Sequence, residues 1–496
     1  MGLISRFLHR SKSVRDSTKS KPSTANSRLS SYAAAPPPIQ FDSVQRTILP
    51  IEIWRRILSL ACRLPGSLSF EAPDPFISGS PLVLTDEEKA ENTRHKIDVQ
   101  LVCRAWRVIC LEFSYESLVV CCRKHTLPLL NTLEGSKAED PDARGHGWWT
   151  REIKFEIGSC PDIPVTSGGP NMNAIVVRIL RCTPNLAIYL NNNGFGKALG
   201  KHTHPTIMNA LGRHCGLSLR RLEWSASESP RWDDLEVLLF ETPRLRTLSV
   251  LHMIQTPTPH PRKPLTLKYL HSLSLGPFPT PIGVKIPTWD TVLAAFTQTP
   301  SPDELQLPSL TSLSITPINF VIPKSSTERF FLYYGPHLRT LRTSDLTPRD
   351  LFDSAFVAPG SSNPSLRTIL NLSPHLRSLV FNPLQPIAYP TEHACLERVA
   401  VYPPSEHPVS VPLRMYASQV QLPLDTLFEQ LVGGAFPSLK VVRLRDQGAF
   451  GFLGRTTEWL EQWRKQWDEK GIRFENRDGL SYAFTLDLME MLPDDV

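Results

Sequence analysis

Leu245-Arg246-Thr247-Leu248-Ser249-Val250 is one copy of a phrase, Leu-x-x-Leu-x-apolar, whose recurrence decides how this chain folds. It is met at Leu219 to Trp224, Leu270 to Leu275, Leu310 to Ile315, Leu376 to Phe381, Leu396 to Val401 and Leu439 to Leu444, and in shortened form at Leu338 to Leu341. The end of most phrases alternates apolar and polar residues, the period of a strand with one buried face. Pro243, Pro308, Pro336, Pro374 and Pro437 stand one to three residues ahead of several copies and mark a turn into the strand. Apolar stretches at helical spacing lie between copies, at 174–180, 235–240, 292–296, 329–334 and 424–432. Ile153-Lys154-Phe155 and Asn185-Leu186 are weaker early copies, and Ile472-Arg473-Phe474 reads as one more strand.

Successive first leucines are 26, 25, 40, 28, 38, 20 and 43 residues apart. The shorter values resemble a leucine-rich repeat, and the longer ones imply inserted loops. One strand and one helix cannot bury their own apolar face, so the units stack into a solenoid with a continuous core. In such a strand the leucines point inward and the residues between them face the concave surface. Those outward positions include Arg221, Thr247, Ser272, Ser312, Arg342, Arg398 and Arg443, a set rich in hydroxyls and guanidiniums that suits an acidic or phosphorylated target segment. Trp459, Trp463 and Trp467 follow at four-residue spacing, with Lys470-Gly471 as a helix stop. That helix reads as the cap that an open repeat array requires.

Upstream, Ile48-Leu49-Pro50-Ile51-Glu52-Ile53-Trp54-Arg55-Arg56-Ile57-Leu58 opens the ordered chain. Pro50 suits a first helical position and Glu52 the positive end of the helix dipole. Ile53, Ile57, Leu60 and Ala61 form one apolar face, widened by Trp54 and Leu58, and Pro65-Gly66 ends the helix. Residues 65–94 read as a loop. A second helix over 97–113 places Val99, Val102, Cys103, Trp106, Ile109, Cys110 and Phe113 on one stripe, and 117–120 reads as a short strand.

These two helical segments resemble the F-box, whose pattern opens Leu-Pro, then an acid and Ile, then Ile/Leu-Leu. Here that is Leu49-Pro50-Ile51-Glu52-Ile53 followed by Ile57-Leu58, and the second half, Leu-Val-Cys-Arg-x-Trp-Arg, is matched by Leu101 to Arg107. The trailing Tyr115-Glu116 and Leu118-Val119-Val120, with the C-terminal Trp-rich helix, are similar to fungal members in particular. The chain departs from short F-boxes in placing about 30 residues between the halves, an insertion that adds little closure entropy. The resemblance implies a small helical module docking onto a Skp-type adaptor and through it a cullin–RING ubiquitin ligase. It implies adaptor contacts at Leu49, Pro50, Ile53, Trp54, Ile57, Leu58, Val102, Cys103, Trp106 and Ile109.

The expected organisation is therefore α/β: a disordered basic tail at 1–42, an F-box module at 43–120, a leucine-rich-repeat-like solenoid at 145–450, and a C-terminal helix and cap at 451–496. The expected role is a substrate receptor that recruits a target protein and is not an enzyme. The alternatives are a repeat scaffold not engaged with a ligase, and a mitochondrial protein whose basic, Ser-rich residues 1–31 form a cleaved presequence.

Composition narrows the classes further. Residues 1–46 hold eight Lys/Arg and two acids; removing these from the 54 and 48 of the whole chain leaves 46 of each. The body is thus neutral, which argues against a nucleic-acid partner. No run of 18 apolar residues predicts a membrane span, and nine cysteines without CxxC spacing read as reduced thiols of a cytoplasmic or nuclear protein. Arg6 breaks the myristoylation pattern begun by Met1-Gly2. The stretch from Gly194 to His202 fits neither GxGxxG nor a P-loop, and His202, His204 and His214 lack companions at metal-ligand spacing, so no cofactor or metal is expected.

Overall fold

In the computed structural model the chain divides into two compact units, Met1–Leu64 with Thr85–Ser114, and Pro65–Leu84 with Tyr115–Val496. The residues described are 49–64, 68–71, 74, 76, 86–121, 123–138, 144–156, 172–192, 202–225, 228–251, 253, 264–276, 289–298, 305–315, 326–343, 366–381, 392–401, 425, 427–444, 456–476 and 479–481. The tail 1–42 and the stretch 194–200 lie outside them.

The first unit is helical: α1 (Ile51–Cys62), α2 (Asp86–Val102) and most of α3 (Arg104–Tyr115). Its core consists of Leu58, Cys62, Val99, Ile109, Cys110 and Phe113, with Trp54 and Trp106 packed against it. The two tryptophan rings meet at 5.2 Å and 53°. Polar ties surround this core: Lys96 Nζ donates to the Phe113 carbonyl (3.1 Å), Gln100 Nε2 to Ser114 Oγ (2.7 Å), and Arg55 to Glu112 (2.8 Å).

Three local expectations are corrected. Pro50 is the residue before the first helical turn rather than within it, and its carbonyl accepts the Ile53 and Trp54 amides. The helix expected over 97–113 is two helices, and α2 begins at Asp86, so the loop ends before residue 94. The break falls at Cys103, whose thiol sulfur accepts the Trp106 amide (3.4 Å) from the third position of α3. A side-chain acceptor there takes up one of the orphaned first-turn N–H groups, as Ser or Asp does at most helix starts.

The second unit is built on a twelve-stranded, wholly parallel sheet with strands in chain order. They are β1 (Ser117–Val120), β2 (Glu152–Phe155), β3 (Ile188–Asn191), β4 (Arg221–Trp224), β5 (Thr247–Val250), β6 (Ser272–Leu275), β7 (Ser312–Ile315), β8 (Thr340–Thr343), β9 (Ser378–Phe381), β10 (Arg398–Val401), β11 (Val441–Leu444) and β12 (Arg473–Glu475). β1, expected within the helical module, is the sheet's first strand and pairs with β2. Helices between strands include α4 (Arg123–Ala138), α5 (Met172–Cys182), α6 (Pro205–Cys215), α7 (Trp232–Glu241), α8 (Asp290–Ala295), α9 (Ser326–Tyr334) and α10 (Leu366–Leu372), and α11 (Thr456–Glu469) precedes β12.

Strand register explains the recurrent phrase. Thr247 pairs with Arg221 and Ser272, Leu248 with Leu222 and Leu273. The second and fourth residues of the strands, such as Leu248 and Val250, join one cluster with helix residues such as Ile179, Leu235 and Phe330. The first and third residues therefore lie on the helix-free face. The leading leucine of all eight phrases is at most 6% exposed. Burying each contributes roughly 1.5–3 kcal/mol as an upper bound.

The turn ahead of the strand follows from its proline. In Thr242-Pro243-Arg244-Leu245 the Leu245 amide donates to the Thr242 carbonyl (3.1 Å); Ser373 to Leu376, Gly335 to Leu338 and Phe436 to Leu439 close the same way. Proline in the second place has the required φ and lacks an N–H that the turn does not use. The hydroxyls of Thr183, Thr242 and Thr297 donate back to the last helix carbonyls, satisfying acceptors that the ending helix leaves open.

At the C-terminal end Trp463 and Trp467 are buried, and Phe428 packs on Trp459, Trp463, Trp467 and Phe474. Trp459 and Trp463 donate from Nε1 to Asp425 Oδ1 at 2.6 and 3.0 Å. The tryptophan stripe is therefore core beneath the terminal strands.

Candidate functional site

Two surfaces hold the residues singled out by sequence. The first belongs to the helical unit. At 100° per residue, Trp54, Leu58 and Cys62 form one stripe on α1, while Ile53, Ile57 and Leu60 form another centred about 130° away. The Trp54 stripe faces the unit's core. The other faces water: Ile53 is 46% exposed, Ile57 42% and Leu60 70%. Leu49, Ile51, Leu101, Val102 and Val108 are also exposed.

The expected adaptor contacts accordingly separate. Leu49, Pro50, Ile53, Ile57, Val102 and Cys103 are exposed. Trp54 and Trp106 are half-buried against the core. Leu58 and Ile109 are buried core residues, which corrects their place among surface contacts, since they cannot touch a partner without unfolding the unit. Ile51, Leu60, Leu101 and Val108 are exposed apolar residues absent from the expected set. Leu60 was legible, being three residues after Ile57 on the same stripe.

The second surface is the helix-free face of the sheet. Its first-position ladder runs Arg221, Thr247, Ser272, Ser312, Thr340, Ser378, Arg398 and Val441, as the pairings align them. The third-position ladder beside it includes Arg342 and Arg443. All seven expected target-facing residues thus share one face, but their accessibility differs. Arg342 is exposed, Arg221, Ser312 and Arg398 are half-buried, and Thr247, Ser272 and Arg443 are buried.

The cover over several of them comes from the segment read as a plain loop. Arg221 Nη1 donates to the Ser69 carbonyl (3.3 Å) and Thr247 Oγ1 to the Phe70 carbonyl (2.6 Å). Arg398 Nη1 donates to Asp74 Oδ2 (3.0 Å), and Arg443 Nη2 to the Phe76 carbonyl (3.0 Å). Phe76 is buried against Val380, Ala400 and Val441 on the helix-free side of β9–β11. The overlooked signal was the pair of phenylalanines, Phe70 and Phe76, in an otherwise Pro-rich stretch.

Electrostatics on this face are set by paired guanidiniums. Arg221 and Glu223 are bridged at 2.6 Å on β4. Arg443 and Glu475 are bridged at 2.6 Å, and both side chains are nearly inaccessible. Buried thiols are shifted strongly: burial pushes Cys215 up to about 12, and burial together with neighbouring Cys62 does the same to Cys110. Such groups are poor nucleophiles at neutral pH.

Among the described residues no cluster of three or more His, Cys, Asp or Glu is placed to hold a metal ion, and no helix is long and apolar enough to cross a membrane. A scan against protein-family models and a search of curated proteins find no match to this chain.

Proposed function

We propose that this chain is a substrate-recruiting F-box subunit of an SCF-type cullin–RING ubiquitin ligase. The helical unit docks a Skp-type adaptor, and the helix-free sheet face receives a target protein. Ubiquitin transfer is performed by the partners, and this chain supplies position.

The observation that carries the reading is the second apolar stripe of α1. A helix whose core-facing stripe is already satisfied has no intramolecular use for Ile53, Ile57 and Leu60 in water. Exposed apolar faces of this kind are characteristic of docking surfaces. The stripe lies within the Leu49-Pro50 to Leu58 stretch that resembles the F-box. The sheet face supports the second half of the reading, with hydroxyls and guanidiniums held on regular strand positions.

Co-expression of the full chain with a Skp-type adaptor, followed by affinity purification, tests the proposal. The adaptor is expected to co-purify with the wild type and not with Ile57→Glu/Leu60→Glu. Both changes lie on exposed positions, so the variant stays folded. Absence of the adaptor from the wild-type preparation, or its undiminished presence with the variant, would overturn the reading.

A further inference from the structure

The geometry points to a recognition site on β9–β12 for a partner segment of the form Asp-x-aromatic, which the chain's own Asp74 and Phe76 occupy in cis. We propose that a target reaches this face by displacing that internal occupant. The inference rests on the proposed role of the sheet face in target binding, and adds the chemistry recognised and the competition that controls access.

Three observations carry it. First, the occupant engages the sheet as a ligand does. Asp74 accepts the Phe76 amide on Oδ1 (2.9 Å) and the Arg398 guanidinium on Oδ2 (3.0 Å), so one carboxylate both folds the segment and docks it. The Phe76 ring lies 4.9 Å from the Arg398 guanidinium and 5.4 Å from that of Arg443, and packs on Val380, Ala400 and Val441. Cationic groups within about 6 Å of an aromatic face attract it.

Second, the receiving groups are oriented by the sheet itself. Arg398 Nε donates to Ser378 Oγ (2.9 Å), and Arg443 donates from Nε and Nη2 to Glu475 Oε2 (3.0 and 2.6 Å). A site held by its own scaffold loses little freedom when a ligand binds. Third, the described residues of the segment add no strand to the sheet. Its upstream contacts are backbone carbonyls, those of Ser69 and Phe70, which any extended peptide presents. Specificity therefore lies in Asp74 and Phe76, and Asp74 remains about a third exposed in its pair with Arg398. A tethered competitor acts at high effective concentration, so it masks the face from weak ligands and yields to stronger ones.

The test uses the full chain and a fluorescein-labelled synthetic peptide copying residues 68–78, read by fluorescence anisotropy. Asp74→Ala/Phe76→Ala is expected to bind the peptide at least tenfold more tightly than the wild type. Adding Arg398→Gln to that variant, or replacing the peptide's Asp and Phe by Ala, is expected to reverse the gain. If the double variant does not fold, Asp74→Ala alone decides, with at least a threefold gain expected. Equal affinity of opened and wild-type chains, or equal binding of the Ala-substituted peptide, would overturn the proposal. Adaptor co-purification measured on the same variants is expected to be unchanged. Its loss from every sample would count against the ligase reading and leave the peptide result to stand or fall alone.

Discussion

Substituting Glu475 by Ala isolates a buried charge, and the cost can be worked from the surroundings of Arg443. The guanidinium is 3% exposed and makes two hydrogen bonds to Glu475 Oε2 and one to the Phe76 carbonyl. Removing the carboxylate takes away the anion that neutralises this buried cation. Breaking a buried pair in this way costs about 3–5 kcal/mol, against about 0–1 for an exposed pair. Arg473, 72% exposed and 3.4 Å from Glu475 Oε1, belongs to the second kind.

Nearest-neighbour coupling in a stacked array confines the damage to the C-terminal strands. Amide hydrogen exchange followed by mass spectrometry reads local opening. At tenfold per 1.4 kcal/mol, exchange in β11 and β12 is expected to accelerate by roughly a hundredfold to a few thousandfold, with β2–β5 unchanged. Arg443→Met/Glu475→Leu removes both charges and is expected to stay within about 1 kcal/mol of wild type. Acceleration below tenfold in Glu475→Ala, or a double variant as damaged as the single, would refute the reasoning.

Adjacent residues of α1 provide a second contrast. Leu58→Ala is expected to destabilise the helical unit by about 2–5 kcal/mol, whereas Ile57→Ala falls within about 0.5 kcal/mol of wild type, as measured by urea-dependent exchange of α1–α3 amides. Thiol chemistry supplies a third. Cys103 is exposed and is expected to react with a maleimide in the native chain, while buried Cys62, Cys110 and Cys215 do not. The thiols of Cys110 and Cys215 are raised from 9.0 to about 12, so the folded state holds their protons longer than the unfolded state. Their contribution is complete below pH 9 and is lost as pH climbs toward 12, and thermal denaturation across that range is expected to show a falling midpoint.

The sheet was legible because most of its strands carry the same physical demand. A leading leucine closes a turn, in several copies a proline turn, and two alternating residues enter the core; Leu245, Leu248 and Val250 display that pattern without help from distant residues. The helix break at Cys103 was not legible, because a thiol in the capping position is chemically possible but statistically weak as a signal. Separating buried from exposed apolar residues on α1 also lay beyond sequence. Ile57 and Leu58 are equally apolar, and only the positions of α2 and α3 decide which one is covered. The contacts of Ser69, Phe70, Asp74 and Phe76 were hidden for the same reason. Their partners Arg221, Thr247, Arg398 and Arg443 lie 152 to 367 residues away, and nothing local announces a contact so distant.

The most direct measurement is calorimetric titration of a purified Skp-type adaptor into the full chain and into Ile57→Glu/Leu60→Glu. The wild type is expected to bind, and the variant to bind at least a hundredfold more weakly, a loss of about 2.7 kcal/mol. No binding by the folded wild type, or equal affinity of the two proteins, would contradict the assignment of this helix face to adaptor docking.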